Sequence, residues 1–111
     1  MVVVEFFASY CEPCRHSLPA LQRLAERERG LQIIAIGEDE ARDKSAAMAV
    51  EFGLTMPVVH DVGNLLAAGF RVDGLPTTFV VDRQGVVRWI GGADPSGREL
   101  ARVVKAVRRG G

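Results

Sequence analysis

The stretch Ser9-Tyr10-Cys11-Glu12-Pro13-Cys14-Arg15 holds the only two cysteines of the 111-residue chain, with two residues between them. It follows an apolar run at residues 2–8 and opens a helical pattern, so the two thiols are expected at a strand-to-helix junction. Thiols at this spacing can close into a small ring, and the N-terminus of a helix favours a thiolate over a thiol. The stretch therefore indicates a reversible thiol/disulfide couple.

The composition indicates a folded domain without a strong charge. The apolar fraction is 48%, and 14 basic residues cancel 14 acidic ones, so no broad field attracts nucleic acid or an anionic membrane. A disulfide ring this small crosslinks little chain, which favours a working bond over a structural one. No apolar run approaches the ~20 residues of a membrane span, and the N-terminal residues, with an acid at Glu5, do not resemble a signal peptide.

Hydrophobic periodicity predicts alternating strands and helices in the first part of the chain. Strands are predicted at residues 2–8, 31–36 and 56–60. A helix is predicted at residues 12–29, with a kink at Pro19 and a stop at Gly30. A second helix ending before Gly53 is predicted from the apolar stripe Ala41, Ser45, Met48, Ala49 and Phe52.

The second part of the chain begins with a short helical turn at residues 62–70. Strands at residues 77–81 and 86–90 are predicted to form an antiparallel hairpin, and a last helix carries the stripe Leu100, Val103, Val104 and Val107. Two N-termini are open for that helix, a capping box of Ser96 and Glu99 or the pair Asp94-Pro95. This order predicts an α/β fold, a central mixed β-sheet flanked by helices on both faces.

The chain contains two motifs, one after the other. The first is residues 6–15, Phe-Phe-Ala-Ser-Tyr-Cys-Glu-Pro-Cys-Arg, which Leu18-Pro19 follows. The second is residues 74–82, Gly-Leu-Pro-Thr-Thr-Phe-Val-Val-Asp, which Gly85 follows. Together they resemble the thioredoxin superfamily, and most closely its TlpA/ResA-like branch of extracytoplasmic thiol-disulfide oxidoreductases. The resemblance covers nearly the whole chain and implies a single thioredoxin-like domain at residues 1–111. Family domains usually begin with a further segment, so an N-terminal piece of the family domain is expected to be missing.

Cys11 is the predicted nucleophile, since it comes first at the helix N-terminus and at the expected exposed edge. Its thiolate would attack a substrate disulfide, and Cys14 would resolve the mixed disulfide. Glu12 is expected to disfavour the thiolate and make the couple more reducing, or to be a simple solvated charge. Pro13 is expected to restrict the loop between the thiols. A zinc half-site is the alternative for the cysteines, but it would need ligands such as His16 and His60.

The predicted substrate-binding residues are Tyr10, Leu75 and Pro76. The resemblance implies that Pro76 is a cis-proline packed against the thiols, with the backbone of Leu75 offering hydrogen bonds to an extended peptide. Without the resemblance, an ordinary trans proline that opens a strand is the expectation. Trp is common in the family where Phe7 and Tyr10 stand, so the aromatic packing around the thiols is expected to differ.

Two acids are candidates for proton transfer with the thiols. Glu38 follows the second strand at the sheet end expected near Cys14, and the resemblance assigns a Glu there to this role. Alternatively, it is a surface acid within Glu38-Asp39-Glu40. Glu5 lies inside a buried strand, where thioredoxins have a buried Asp and the TlpA-like branch often has Asn. An unpaired buried carboxylate there is costly, so Glu5 is expected either to face the thiol pair through water or to lie on a face that tolerates a charge.

The resemblance implies an enzyme, a reductant of protein disulfides in the cell envelope, for example in cytochrome c maturation. A membrane thiol-disulfide carrier would be its electron donor, and we expect a monomer, membrane-anchored or secreted through the missing N-terminal segment into the periplasm or another extracytoplasmic space. No cofactor is expected beyond the redox-active disulfide of Cys11 and Cys14, and no metal. The alternatives are a copper chaperone and a non-catalytic interaction domain on the same fold; a peroxidase has less support.

Overall fold

The computed structural model describes residues 1–110, which form one five-stranded β-sheet and four α-helices. The strands are β1 Val2–Phe7, β2 Gln32–Gly37, β3 Val58–His60, β4 Thr77–Val81 and β5 Val87–Gly91. The helices are α1 Cys14–Arg27, α2 Arg42–Glu51, α3 Leu65–Gly69, which follows a 3₁₀ turn at Val62–Asn64, and α4 Arg98–Gly110.

The sheet has the strand order β3-β2-β1-β4-β5, with β1 at its centre. β1 is parallel to β2, and β2 to β3, because helical crossovers connect them. β4 is antiparallel to both β1 and β5, and the short β4–β5 connection makes the predicted hairpin. The sheet is therefore mixed, as predicted.

Helices cover the two faces of the sheet unequally. One face packs against α1, α2 and α4 in a core that includes Phe7, Leu18, Leu21, Met48, Val80 and Val104. The other face is covered by the five-residue helix α3, and its core consists of Val4, Phe6, Ile36, Ala67 and Phe79. The rings of Phe6, Phe70 and Phe79 pack there with centroids 4.9–5.8 Å apart. The prediction of helices on both faces is confirmed, with a thin layer on the second.

The first helix is shorter than the predicted range of residues 12–29. It begins at Cys14, because the residues before it form a turn in which the Cys11 carbonyl accepts a hydrogen bond from the Cys14 amide at 3.1 Å. Pro19 lies inside α1, as predicted. No helix within residues 1–110 has the length and apolar content needed to cross a membrane.

The last helix does not begin with the predicted capping box. It starts at Arg98, immediately after Gly97, whose φ of 73° suits glycine. The Asp94 carboxylate accepts a hydrogen bond from the Leu100 amide at 3.1 Å, and the Ser96 hydroxyl accepts one from the Arg98 amide at 3.2 Å. Ser96 from one sequence alternative and Asp94 from the other thus both contribute, but Glu99 does not complete a box with Ser96.

Gly37, at the end of β2, is a site where a side chain does not fit. A methyl group added there would overlap the side chain of Ser45 on α2, which is itself fully enclosed. We expect Gly37→Ala to lower the free energy of unfolding by about 1–3 kcal/mol, measured by urea denaturation. Gly69→Ala is the matched control, since a methyl group at Gly69 meets no atom within 4 Å. Equal effects of the two substitutions would contradict the overlap.

Candidate active site

The two cysteines form a disulfide at the start of α1, with their Cα atoms 5.3 Å apart. The Cys14 amide donates a hydrogen bond to the Cys11 sulfur at 3.3 Å, and a helix N-terminus stabilises negative charge at that place. Cys14 is fully buried and Cys11 is 7% exposed, so the prediction that Cys11 lies at an exposed edge is wrong. The loop folds Cys11 inward, while its neighbour Tyr10 is 73% exposed.

A pocket of about 570 Å³ opens beside the disulfide. Six of the residues predicted for the site line it, namely Tyr10, Cys11, Glu12, Pro13, Glu38 and Leu75. Asn64, Ala67, Val72, Asp73 and Gly74 complete its lining. The pocket therefore joins residues from the Cys-x-x-Cys loop, the end of β2, the region around α3 and the segment before β4. Three predicted site residues, Cys14, Pro76 and Glu5, are not among its lining.

The Leu75–Pro76 peptide bond is cis, as the resemblance implied. Thr77, the next residue, begins β4 and pairs with Phe6 of β1. This antiparallel register brings the Leu75–Pro76 segment level with the end of β1, where the loop to Cys11 begins. Pro76 is buried, and Leu75 is half-buried at the pocket.

Glu38 follows β2 and is 6% exposed, so it is not the surface acid of the alternative interpretation. Its amide donates to the Phe7 carbonyl at 2.8 Å, which fixes the residue against the end of β1. The Asn64 side-chain amide donates to Oε1 of Glu38 at 2.7 Å. Burial raises the pKa of Glu38 to about 7. An acid with this pKa can give up or accept a proton near neutral pH.

Asp39 is a buried residue whose importance the sequence analysis missed. Its carboxylate accepts hydrogen bonds from the amide and hydroxyl of Ser9, at 2.9 Å and 2.5 Å, and from the Ser45 hydroxyl at 2.9 Å. Burial alone would raise the pKa of Asp39, but these donors hold it below its ordinary value. Within the acidic run Glu38-Asp39-Glu40, sequence gives no signal for which acids turn inward, although a serine two residues before Cys11 was a possible donor.

Glu5 lies on the opposite face of the sheet from α3. It is 2% exposed, and it accepts hydrogen bonds from Ser17 at 3.0 Å and Thr78 at 2.9 Å. The Ser17 hydroxyl also lies 3.4 Å from the carbonyl oxygen of Cys14. Burial raises the pKa of Glu5 to about 7. The structure thus connects Glu5 to the backbone of Cys14 through Ser17 and connects Glu38 to the pocket at Cys11.

The remaining predicted residues lie at the rim or away from the disulfide. Glu12 and Pro13 are exposed and border the pocket. His60 hydrogen-bonds the Asp39 carbonyl oxygen through Nε2 at 3.0 Å, while His16 is exposed on α1. Among residues 1–110, no three His, Cys, Asp or Glu side chains group closely enough to hold a metal ion.

A mixed sheet with a Cys-x-x-Cys disulfide after its central strand and a cis-proline before β4 defines a thioredoxin-like protein. The chain belongs to the AhpC/TSA family, whose model matches residues 1–90. It is similar to the thiol-disulfide oxidoreductase ResA of Geobacillus kaustophilus, with 32% identity over 91 residues, which are 80% of this chain and 52% of that protein. ResA of Bacillus anthracis is 32% identical over 88 residues, 78% of this chain and 51% of that protein. The chain therefore spans about half the length of these curated relatives.

Solved structures agree with this assignment. A thiol:disulfide interchange protein of the thioredoxin family from Chlorobium tepidum is 27% identical, with a TM-score of 0.80, and the match covers 96% of this chain and 78% of that one. StoA from Bacillus subtilis is 18% identical, with a TM-score of 0.79 and coverage of 91% and 79%, and it supports the fold alone. The sequence-based resemblance to the thioredoxin superfamily and its ResA-like members is confirmed.

The buried Glu5 should make the stability of the protein depend on pH. An unfolded glutamate releases its proton near its ordinary pKa of 4.5, but burial raises the pKa of Glu5 in the folded protein to about 7. Because the folded state binds more protons in this window, Glu5 lowers stability as pH rises through it. The variant Glu5→Gln lacks this loss. Its unfolding free energy minus that of the wild type should therefore be larger at pH 8 than at pH 4, by on the order of 2–3 kcal/mol.

Chemical denaturation at both pH values measures this change. Glutamine retains oxygen and nitrogen partners for the Ser17 and Thr78 hydroxyls, so the hydrogen bonds can be kept. Glu40→Gln, at an exposed acid in the next loop, is the control and should give the same difference from wild type at both pH values. If Glu5→Gln also differs from the wild type by the same unfolding free energy at pH 4 and pH 8, Glu5 does not titrate in this range.

Proposed function

We propose that the protein is a thiol-disulfide oxidoreductase that reduces disulfides of protein substrates. The observation that carries the proposal is the Cys11–Cys14 disulfide at a helix start, with Cys11 opening into a pocket that also holds the buried acid Glu38. The similar ResA proteins are named thiol-disulfide oxidoreductases, which supports the same activity here.

In the proposed reaction, the reduced protein gives two electrons to the substrate disulfide. The Cys11 thiolate attacks one substrate sulfur, a new S–S bond forms, and the other substrate sulfur leaves as a thiolate that takes up a proton. Cys14 then loses its proton and attacks the Cys11 sulfur, which closes the Cys11–Cys14 disulfide and releases the second substrate thiol. The amide of Cys14 would stabilise the Cys11 thiolate before it attacks the substrate, and again when the Cys11–Cys14 disulfide is later reduced.

Glu38 is the proposed proton donor to the leaving substrate thiolate. It borders the same pocket as Cys11, and with a pKa of about 7 it carries a proton in much of the protein at neutral pH. Glu5 is the proposed acceptor of the Cys14 thiol proton, with the hydroxyl of Ser17 as the relay: Ser17 lies one helical turn after Cys14 and donates to Glu5 at 3.0 Å, so it would pass its proton to Glu5 as it takes up the one from the thiol. The two acids would then serve two different sulfurs.

Tyr10, Leu75 and Pro76 are proposed to bind the substrate. Leu75 and Tyr10 both line the pocket with Cys11, and an extended peptide hydrogen-bonded to the Leu75 backbone would lie close to Cys11. Glu12 and Pro13 are proposed to tune the couple: the exposed carboxylate of Glu12 opposes a second negative charge on Cys11, and the ring of Pro13 restricts the loop.

The proposed setting is extracytoplasmic, as in the TlpA/ResA-like branch, with cytochrome c maturation as one pathway of this kind. A membrane thiol-disulfide carrier would return electrons to Cys11 and Cys14. The protein is proposed to act as a single thioredoxin-like domain and as a monomer, and to need no cofactor beyond its disulfide.

Reduction of insulin by dithiothreitol, followed by turbidity, tests the proposed activity. Cys11→Ser should reduce the rate to that of dithiothreitol alone, because no nucleophile remains at the pocket. Cys14→Ser should retain the first step and accumulate a mixed disulfide with the substrate, visible by mass spectrometry. His16→Ala, at an exposed position on the same helix, is the control for changes near the motif. A Cys11→Ser variant with the wild-type rate would refute the proposal.

The two acids can be separated by the pH dependence of substrate reduction. Glu38→Gln should lower the rate at neutral pH by about 10²-fold and remove the pH step near 7 that Glu38 provides. Glu5→Gln should leave the first attack on a substrate disulfide unchanged and slow the release of the mixed disulfide. Stopped-flow measurement of both phases distinguishes the variants, and a normal first phase in Glu38→Gln would exclude Glu38 as the donor.

A further inference from the structure

We propose that Asp61 is a positioning residue that keeps a proton on Glu38, through a carboxyl–carboxylate hydrogen bond behind the active-site pocket. In this pair Glu38 donates and Asp61 accepts. The inference rests on the proposed function in one respect, that Glu38 serves the pocket at Cys11. The pair itself depends on the arrangement of buried groups around the two acids.

Asp61 is fixed as the anionic member of the pair. It is 3% exposed, and its two carboxylate oxygens accept hydrogen bonds from the amides of Leu66 and Ala67, both at 2.9 Å. These amides belong to the first residues of α3, whose orphan N–H groups need acceptors. Burial by itself would raise the pKa of Asp61, but the two amides and Glu38 hold it below its ordinary value.

Glu38 has the opposite environment. Its Oε1 accepts a hydrogen bond from Asn64, but its Oε2 is buried and receives no hydrogen bond from any donor in the described part of the chain. Asp61 lies beside it: the Asp61 amide donates to the carbonyl oxygen of Gly37, the residue before Glu38, at 3.0 Å, and the Asp61 carboxyl raises the pKa of Glu38 through its charge and its hydrogen-bonding position. Two carboxylates in contact cannot both ionise at low cost, so a proton on Oε2 of Glu38 satisfies that oxygen and gives Asp61 a further donor.

The other charged and titratable groups around Glu38 do not replace this proton. His60, next to Asp61 in the chain, favours the charged form of Glu38, but Asp61 and burial oppose it and the pKa of Glu38 stays at about 7. Asn64 is neutral. Glu12 and Asp73, across the pocket, are exposed and bring further negative charge, and no Lys or Arg lines the pocket. Asp61 therefore acts on the reaction through Glu38 and touches no substrate.

Titration of the Glu38 side-chain carboxyl by carbon-13 NMR tests the pair directly in the oxidised protein. The wild-type midpoint should lie near 7. Asp61→Asn removes the like charge and places an amide donor against Glu38, so the midpoint should fall by about one pH unit or more. Asn64→Gly removes a donor to the carboxylate, so the midpoint should rise. Glycine suits the backbone there, since Asn64 has a φ of 57°.

Opposite shifts in the two variants are a result that simple loss of structure would not give. Asp43→Asn, at an exposed acid on α2, is the control and should not move the midpoint. A wild-type midpoint near 4.3, or shifts in the same direction, would overturn the pair. If Asp61→Asn does not fold, Asp61→Ser is measured instead, since it also removes the carboxylate but keeps a hydroxyl acceptor for the amides of α3, and an unchanged Glu38 midpoint in that variant would overturn the pair. The NMR result is independent of insulin reduction, so an inactive protein with opposite shifts would refute the proposed function and leave the pair intact.

Discussion

The carboxylate of Asp39 holds the elements of the candidate site together. It binds the loop before Cys11 through the amide and hydroxyl of Ser9, and it binds α2 through Ser45. Because Asp39 follows β2 and Ser9 follows β1, these bonds join the ends of two parallel neighbouring strands, beside which the pocket lies. Hydrogen bonds to a buried charged group are among the stronger ones in proteins, and an unpaired charge there would be costly. The position of Glu38, one residue earlier, depends on the same connection.

Burial acts on four acids near the site with different results. Asp39 and Asp61 each accept hydrogen bonds from backbone amides, so hydrogen bonding exceeds the cost of desolvation and holds the pKa of both below its ordinary value. The carboxyl groups of Glu5 and Glu38 accept hydrogen bonds from side chains alone, and for them desolvation dominates. The kind of donor at each carboxylate, backbone amide or side chain, therefore separates the acids that hold structure from those able to exchange protons near neutral pH, whereas depth alone does not.

Sequence patterns predicted most of the sheet, because strands such as β1 and β4 are continuous apolar runs between clear breaks. The cysteine spacing and the Leu75–Pro76 motif predicted most of the pocket. Patterns could not predict the burial of Cys11, since that depends on how a loop of turn residues folds back onto the end of β1. They also could not find Asp39 or Asp61, because an acid after a strand has the same local signature whether it faces water or accepts buried donors.

The full burial of Cys14 limits which sulfur can meet another molecule. Cys14 lies behind Cys11 in the core, and the pocket opens at Cys11. For a dithiol protein of the proposed kind, the electron donor and the oxidised substrate must then use the same atom in turn. Under the proposed function the two partners would compete for one entrance and could not be bound together, so such a protein would alternate between them as a shuttle and would not join them as a bridge.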